Sequence, residues 1–160
     1  MTTEMTVDLI ERSTVRLGTI RRVGPYGSEI SHLFERLGQI AGPAGLFAAP
    51  GVETMALYHD DPRTTATNEL RSDAAVTVPA GVPMPDGLTE FTLPGGRYAR
   101  YVHIGPYDGL GDAWKRFTSD WMPKSGHIAR TNVPVVENYM NMPGSVPDDQ
   151  LRTELYIPIE

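Results

Sequence analysis

Glu137 and Tyr139 stand two residues apart in the run Val135-Val136-Glu137-Asn138-Tyr139-Met140. Strand alternation puts them on one face with Val135 and turns Val136, Asn138 and Met140 to the other. A carboxylate flanked by valines must be solvated, paired or functional, because burial without a partner is costly and raises its pKa. Two uses fit the spacing equally: an edge strand with Glu137 in water, or a pocket floor on which Glu137 meets a cation or handles a proton. Aromatic residues gather in the same half of the chain, among them Tyr98, Tyr101, Tyr107, Trp114, Phe117, Trp121, Tyr139 and Tyr156. Aromatic stripes at helical or strand spacing are mostly core. Trp and Tyr beside a carboxylate also make a cavity for flat or cationic organic molecules, through stacking and cation–π attraction. The candidate ligand-binding set is therefore Glu137, Tyr139, Trp114, Tyr101 and Phe117, together with Tyr58, and Trp121 is expected to be mainly structural.

Other chemistries find less support. His32, His59, His103 and His127 are scattered, and only His59-Asp60-Asp61 brings metal-type ligands together. Three adjacent residues on a turn converge poorly on one ion, so a polar turn is expected, with no metal and no cofactor. No G-x-S-x-G, Walker or dinucleotide glycine pattern is present. Gly24-Pro25-Tyr26 and Gly105-Pro106-Tyr107 each read as a strand-to-helix turn, with the tyrosine packing beneath the helix. Glu154 and Asp73 occupy matching positions, which points to a shared structural role such as a salt bridge or a cap.

That matching comes from an internal repeat. Gly24-Pro25-Tyr26 recurs as Gly105-Pro106-Tyr107, Tyr58 and Pro62 recur as Tyr139 and Pro143, and Leu70-Arg71 recurs as Leu151-Arg152, always 81 residues apart. A register that never slips implies two copies of one supersecondary unit, repeat 1 over about 7–81 and repeat 2 over about 88–160. Residues 7–23 read as extended, with a kink or hairpin near 11–14. Ile30, Leu33, Phe34, Leu37 and Ile40 follow at helical spacing, with Ser28 as N-cap and Gly42-Pro43 as the stop. Residues 54–59 and 70–78 are strand-like. The second copy follows with 88–104 extended, 110–121 helical, and 133–140 and 151–159 extended. Val82-Pro83-Met84-Pro85-Asp86-Gly87 marks a connector. The expected fold is α+β: a duplicated β-α-β-β module with pseudo-twofold symmetry, antiparallel sheets, two helices and a central ligand groove. The copies differ most sharply at Glu137, which falls on Ala56, so the second copy is where a site is expected.

With 160 residues the chain is long enough for one well-buried core, and each half alone would be marginal, so residues 1–160 are read as a single domain. A net charge of −6 without clustered Lys or Arg disfavours direct nucleic-acid binding. Cysteine is absent, which excludes disulfides and thiolate catalysis and fits a reducing cytoplasm. Neither a signal-peptide pattern nor an apolar run of membrane-spanning length is seen, so no membrane partner is expected.

Arg97-Tyr98-Ala99, Gly105-Pro106-Tyr107, the Trp114, Phe117 and Trp121 series, Pro134-Val135-Val136-Glu137-Asn138-Tyr139 and Glu154-Leu155-Tyr156-Ile157-Pro158-Ile159 together resemble the GyrI-like (gyrase-inhibitor-like) small-molecule-binding domain, also the effector-binding domain of some AraC-type and MerR-type regulators. The resemblance spans the whole chain and is more specific in its second half. It implies a ligand cavity at the groove between the halves, with Glu137 as the glutamate that meets cationic, often lipophilic ligands. Some stand-alone relatives inhibit DNA gyrase, and others hydrolyse strained cyclopropane rings of DNA-alkylating natural products. No helix-turn-helix segment precedes the module, so a stand-alone member is expected. Three functions follow as expectations: a binder of aromatic or cationic small molecules, a hydrolase with Glu137 as acid or base beside Tyr139, and a gyrase-interacting inhibitor.

Overall fold

The computed structural model describes residues 5–27 and 29–160. Its strands are β1 (Val7–Arg12), β2 (Val15–Val23), β3 (Thr54–Tyr58), β4 (Arg71–Thr77), β5 (Thr89–Leu93), β6 (Gly96–Ile104), β7 (Val135–Tyr139) and β8 (Arg152–Pro158). Helix α1 (Ile30–Ala41) lies between β2 and β3, and α2 (Leu110–Arg116) lies between β6 and β7. The expected α+β architecture of antiparallel strands and two helical segments is what forms. Ser28, expected to cap α1, lies outside the described residues. Two compact units result: Ser13–Gly95, and the chain up to Arg12 together with Gly96–Glu160.

In the unit Ser13–Gly95 the strands run β3-β4-β2-β5, each pair antiparallel. Leu33, Leu37 and Ala41 recur at the spacing of one helix face and bury against Ile20, Ala74, Val76 and Leu88. Gly42 ends α1 by donating its backbone N–H to the Gly38 carbonyl. The connector is packed as well, since Val82 and Met84 lie against that core. Gly18 of β2 makes room for it: a Cβ there would come within 2.9 Å of Leu88 Cδ1 and 3.0 Å of Met84 Sδ.

The other unit orders its strands β1-β6-β8-β7, again antiparallel throughout. Its helix presents Leu110, Ala113 and Phe117 to Ala99, Leu155 and Ile157. Beyond α2 the helix widens into a π-helical stretch, Phe117–Trp121, closed by the Met122 N–H donating to the Phe117 carbonyl, before the short helix α3 (Met122–Ser125). Pro123 in that last turn has no N–H to offer the preceding turn, a local cause of irregular pairing.

Of the kink or hairpin expected near residues 11–14, the strand does break there but no hairpin forms. β1 pairs with β6 and β2 pairs with β5, although Ser13 and Thr14 alone separate β1 from β2. Pro94 and Gly95 occupy the equivalent gap between β5 and β6, and the Gly95 N–H donates to Thr14 Oγ1 at 3.1 Å. Two-residue hairpins need positive φ at their central positions. Ser and Thr adopt it poorly and Pro cannot, and among the described residues none of these four positions has it.

On the sheet face away from each helix sits the matched pair of acids. Asp73 is buried, accepts from Arg21 Nε at 2.9 Å and lies 2.7 Å from His59 Nε2. Glu154 is buried, accepts from the Tyr156 hydroxyl at 2.6 Å and lies 3.5 Å from Arg100 Nη1. The structural role expected of both is thus ion pairing within the sheet. Burial, reinforced by the Glu154 carboxylate, pushes the Tyr156 phenol up to about 12. At Asp73 burial alone would raise the carboxyl, but the hydrogen bonds from His59 and Arg21 outweigh it and hold the group below its ordinary 3.8. A carboxyl depressed on folding adds stability that is complete above its unfolded value and lost as the pH falls through the folded one. Asp73→Asn should therefore lower the melting temperature at neutral pH and flatten the acid limb below about pH 4 in a series of thermal melts. An acid limb unchanged from the parent chain would show that Asp73 does not supply it.

Candidate functional site

Strand β7 carries the site because of its register. Glu137 lies opposite Leu155 of β8, and Tyr139 lies opposite Thr153. Leu155 belongs to the core beneath α2, so side chains at 137 and 139 face the helix. Glu137 is only 4% exposed, which overturns the use of this run as a solvated edge.

Trp114 comes one turn after Leu110 and two residues short of the end of α2, on the flank that meets β7. Its indole Nε1 donates to Glu137 Oε2 at 2.8 Å. The Tyr139 hydroxyl donates to Glu137 Oε1 at 3.0 Å, reaching its neighbour two residues along the same strand face. Each carboxylate oxygen thus receives a donor, as burial requires. Both donors are neutral, so neither cancels the negative charge. A carboxylate has about four lone-pair sites. The arrangement holds a buried carboxylate in place between the helix and its own strand.

Rings enclose this carboxylate on the helix side. Trp114 stacks on Phe117 with centroids 6.0 Å apart and an interplanar angle of 23°. Phe117 in turn meets Tyr101 at 6.2 Å. Tyr107 meets Tyr139 at 5.5 Å, and burial together with the Glu137 charge raises its phenol pKa. Of the expected set, Glu137, Tyr139, Trp114, Phe117 and Tyr101 come together in one unit. Phe117 is wholly buried and serves as the floor on which Trp114 rests. Tyr58 belongs to the other unit, where its ring lies edge-on to Tyr26 at 4.8 Å.

Trp121 contacts Phe117 at 5.6 Å and stacks on His127 at 6.1 Å, at the far side of Phe117 from Trp114 in this chain of rings. Tyr98 and Tyr156 face each other at 6.0 Å on the opposite sheet face, under the guanidinium groups of Arg130 and Arg12. The residue that spacing failed to place in the site is Tyr107. Its Gly-Pro-Tyr turn carried the signal, since that turn sets the tyrosine at the foot of the helix. Among the described residues no three His, Cys, Asp or Glu side chains converge as metal ligands, and no helix is long and apolar enough to cross a membrane.

The model of the GyrI-like small molecule binding domain matches residues 5–160. The chain belongs to this family. It is 32% identical over 118 residues to the probable transcriptional regulator YgiV of Escherichia coli (strain K12), covering 72% of each chain. It is 28% identical over 159 residues to the DNA gyrase inhibitor of Erwinia billingiae (strain Eb661), covering 97% of each. Among solved structures, the EcmrR C-terminal domain shares the GyrI-like fold at a TM-score of 0.76 and 20% identity, covering 99% of both chains. SAV2435 bound to tetraphenylphosphonium aligns with a TM-score of 0.69 and 15% identity over 98% of this chain and 94% of that one.

The two donors to Glu137 make a stability prediction. Trp114→Phe and Tyr139→Phe each strip one donor from a buried carboxylate and should each cost about 1–3 kcal/mol in urea unfolding. Because both act on one group, the double variant should depart from additivity. Adding Glu137→Leu should recover part of that loss, since removing the charge removes the need for donors. Strict additivity, or no recovery, would mean that the donors stabilise through packing alone.

Proposed function

We propose that this GyrI-like domain captures aromatic, cationic lipophilic molecules, with the Glu137 carboxylate as the charge contact and Trp114, Tyr139, Tyr107 and Tyr101 as the aromatic walls. The observation that carries this reading is the state of Glu137. It is a buried carboxylate whose two oxygens accept from an indole and a phenol in a ring-lined environment. A cation entering such a place gains the Coulomb term at reduced screening and cation–π contacts with the rings, while its apolar groups leave water. Binding built from apolar burial plus one charge favours breadth over narrow selection. The tetraphenylphosphonium bound by SAV2435 is a molecule of this class, a delocalised cation sheathed in phenyl rings, and supports it as a probe.

The experiment exploits the two tryptophans of the chain. In a Trp121→Phe background, Trp114 is the sole indole, and its fluorescence should change saturably on titration with tetraphenylphosphonium. Glu137→Gln keeps the shape of the site and removes the charge. It should weaken the phosphonium by about tenfold to a hundredfold, the scale of interactions with a charged group. A neutral aromatic of similar size, triphenylphosphine oxide, should lose little. Equal losses for both would point to damaged packing, and an unresponsive indole at saturating phosphonium would remove Trp114 from the site. Mass analysis of the recovered ligand separates capture from hydrolysis: a binder returns it unchanged, whereas a hydrolase releases a water adduct.

A further inference from the structure

Thr153 is fully buried, and among the described residues its hydroxyl has no hydrogen-bond partner. Buried hydroxyls are nearly always paired, and one left unpaired weakens the fold, so its presence calls for a reason. Its position supplies one. Thr153 of β8 stands opposite Tyr139 of β7 on one side and opposite His103 of β6 on the other. It shares the helix-facing side of the sheet with Leu155 and Glu137, because residues 153 and 155 alternate to the same face and Leu155 pairs with Glu137. Directly paired side chains on one sheet face stand about 5 Å apart at Cβ. Both cross-strand neighbours direct polar atoms elsewhere. The Tyr139 hydroxyl donates to Glu137, and His103 Nε2 donates to the Pro106 carbonyl at 3.0 Å.

We infer that the Thr153 hydroxyl is a second polar contact of the Glu137 site, and that it selects cations which also carry a hydroxyl, carbonyl or similar hydrogen-bonding group. This rests on the proposed binding of aromatic cations at Glu137. The charge contact fixes one end of the ligand. One strand over, beside Tyr139, the Thr153 hydroxyl can donate to or accept from a polar substituent that reaches past the tyrosine ring. A ligand that brings such a group satisfies an otherwise unpaired buried hydroxyl, whereas a purely hydrocarbon cation leaves it unpaired. Breadth set by charge and rings is thereby graded by one hydrogen bond. Valine matches threonine in shape and branching at Cβ and lacks only the oxygen.

The test uses a matched pair of phosphonium cations, (3-hydroxypropyl)triphenylphosphonium and butyltriphenylphosphonium, which differ by a hydroxyl in place of a methyl. In the full chain, Thr153→Val should lower the affinity ratio of the hydroxyl to the butyl cation by about fivefold, the scale of one net hydrogen bond. Without ligand it should leave the melting temperature unchanged or raise it by about 2–4 °C. Thr153→Ser keeps the hydroxyl and should keep the ratio. An unchanged ratio in Thr153→Val, while the butyl cation binds normally, would overturn the role of Thr153 and leave the Glu137 reading intact. A lowered melting temperature would also overturn it, because it would mean that the hydroxyl is already paired in the free protein. Failure of both cations to bind the parent chain would remove the Glu137 reading itself, and this inference with it.

Discussion

A carboxylate taken out of water must be given hydrogen-bond donors, and the unit that contains β7 is organised around that requirement at Glu137. Glu137 cannot be buried on the helix face of the sheet unless something on the helix reaches down to it. Trp114 does so with the longest apolar side chain that also ends in an N–H, and Tyr139 meets it from the strand with a ring that ends in a hydroxyl. Each donor brings a large apolar body, so satisfying the charge and walling it with rings are one act. Phe117 then has to be wholly buried, because it is the surface on which the Trp114 indole stacks. Helix, strand register and ring packing together supply the donors that burial of this carboxylate requires.

The repeated module makes the contrast instructive. At the position of Glu137 the first copy has Ala56, fully buried opposite Ala74, and at the position of Trp114 it has Leu33, packed in an apolar core. With no charge to satisfy, the same order of elements closes over aliphatic side chains and a regular twelve-residue helix. What both copies keep is the acid on the other sheet face. Asp73 and Glu154 are each held by an arginine, so that pair tracks the scaffold, while Glu137 tracks the divergence. An acid present in both copies marks architecture, and an acid present in one marks where the two copies diverge.

Much of this was legible in the residues. Strand limits and those of α1 fall within a residue or two of the alternation and of the Gly and Pro breaks, because those breaks act locally through φ. The second helix, expected over 110–121, instead ends as α2 at Arg116 and continues through the π-helical stretch to Ser125. The face on which Glu137 and Tyr139 stand followed from period two. Whether that face was wet or dry did not, since alternation assigns faces without saying what covers them. Tyr107 was hidden by its role as a turn residue, and Thr153 was indistinguishable from any threonine in a strand. The π-helical stretch had one local sign, Pro123, whose missing N–H disturbs the pairing of the turn before it.

The pairing of β1 shows where local signals mislead and which residues correct them. A two-residue gap between extended runs suggests a hairpin, and alternation within β1 and β2 fits that as well as any other partner. The residues in the gap argue against it. Ser13-Thr14 and Pro94-Gly95 lack the Asn-Gly or Gly-X chemistry that a tight hairpin demands at positive φ. Each gap instead passes its first strand onward, β1 to β6 and β5 to β2, and the Gly95 N–H bonded to Thr14 Oγ1 ties one crossing point to the other within a single unit. Repetition of the gap at the same separation as the rest of the module means that the exchange is a property of the module. Strand partners are a tertiary choice, and the chain records that choice only through the turns it makes impossible.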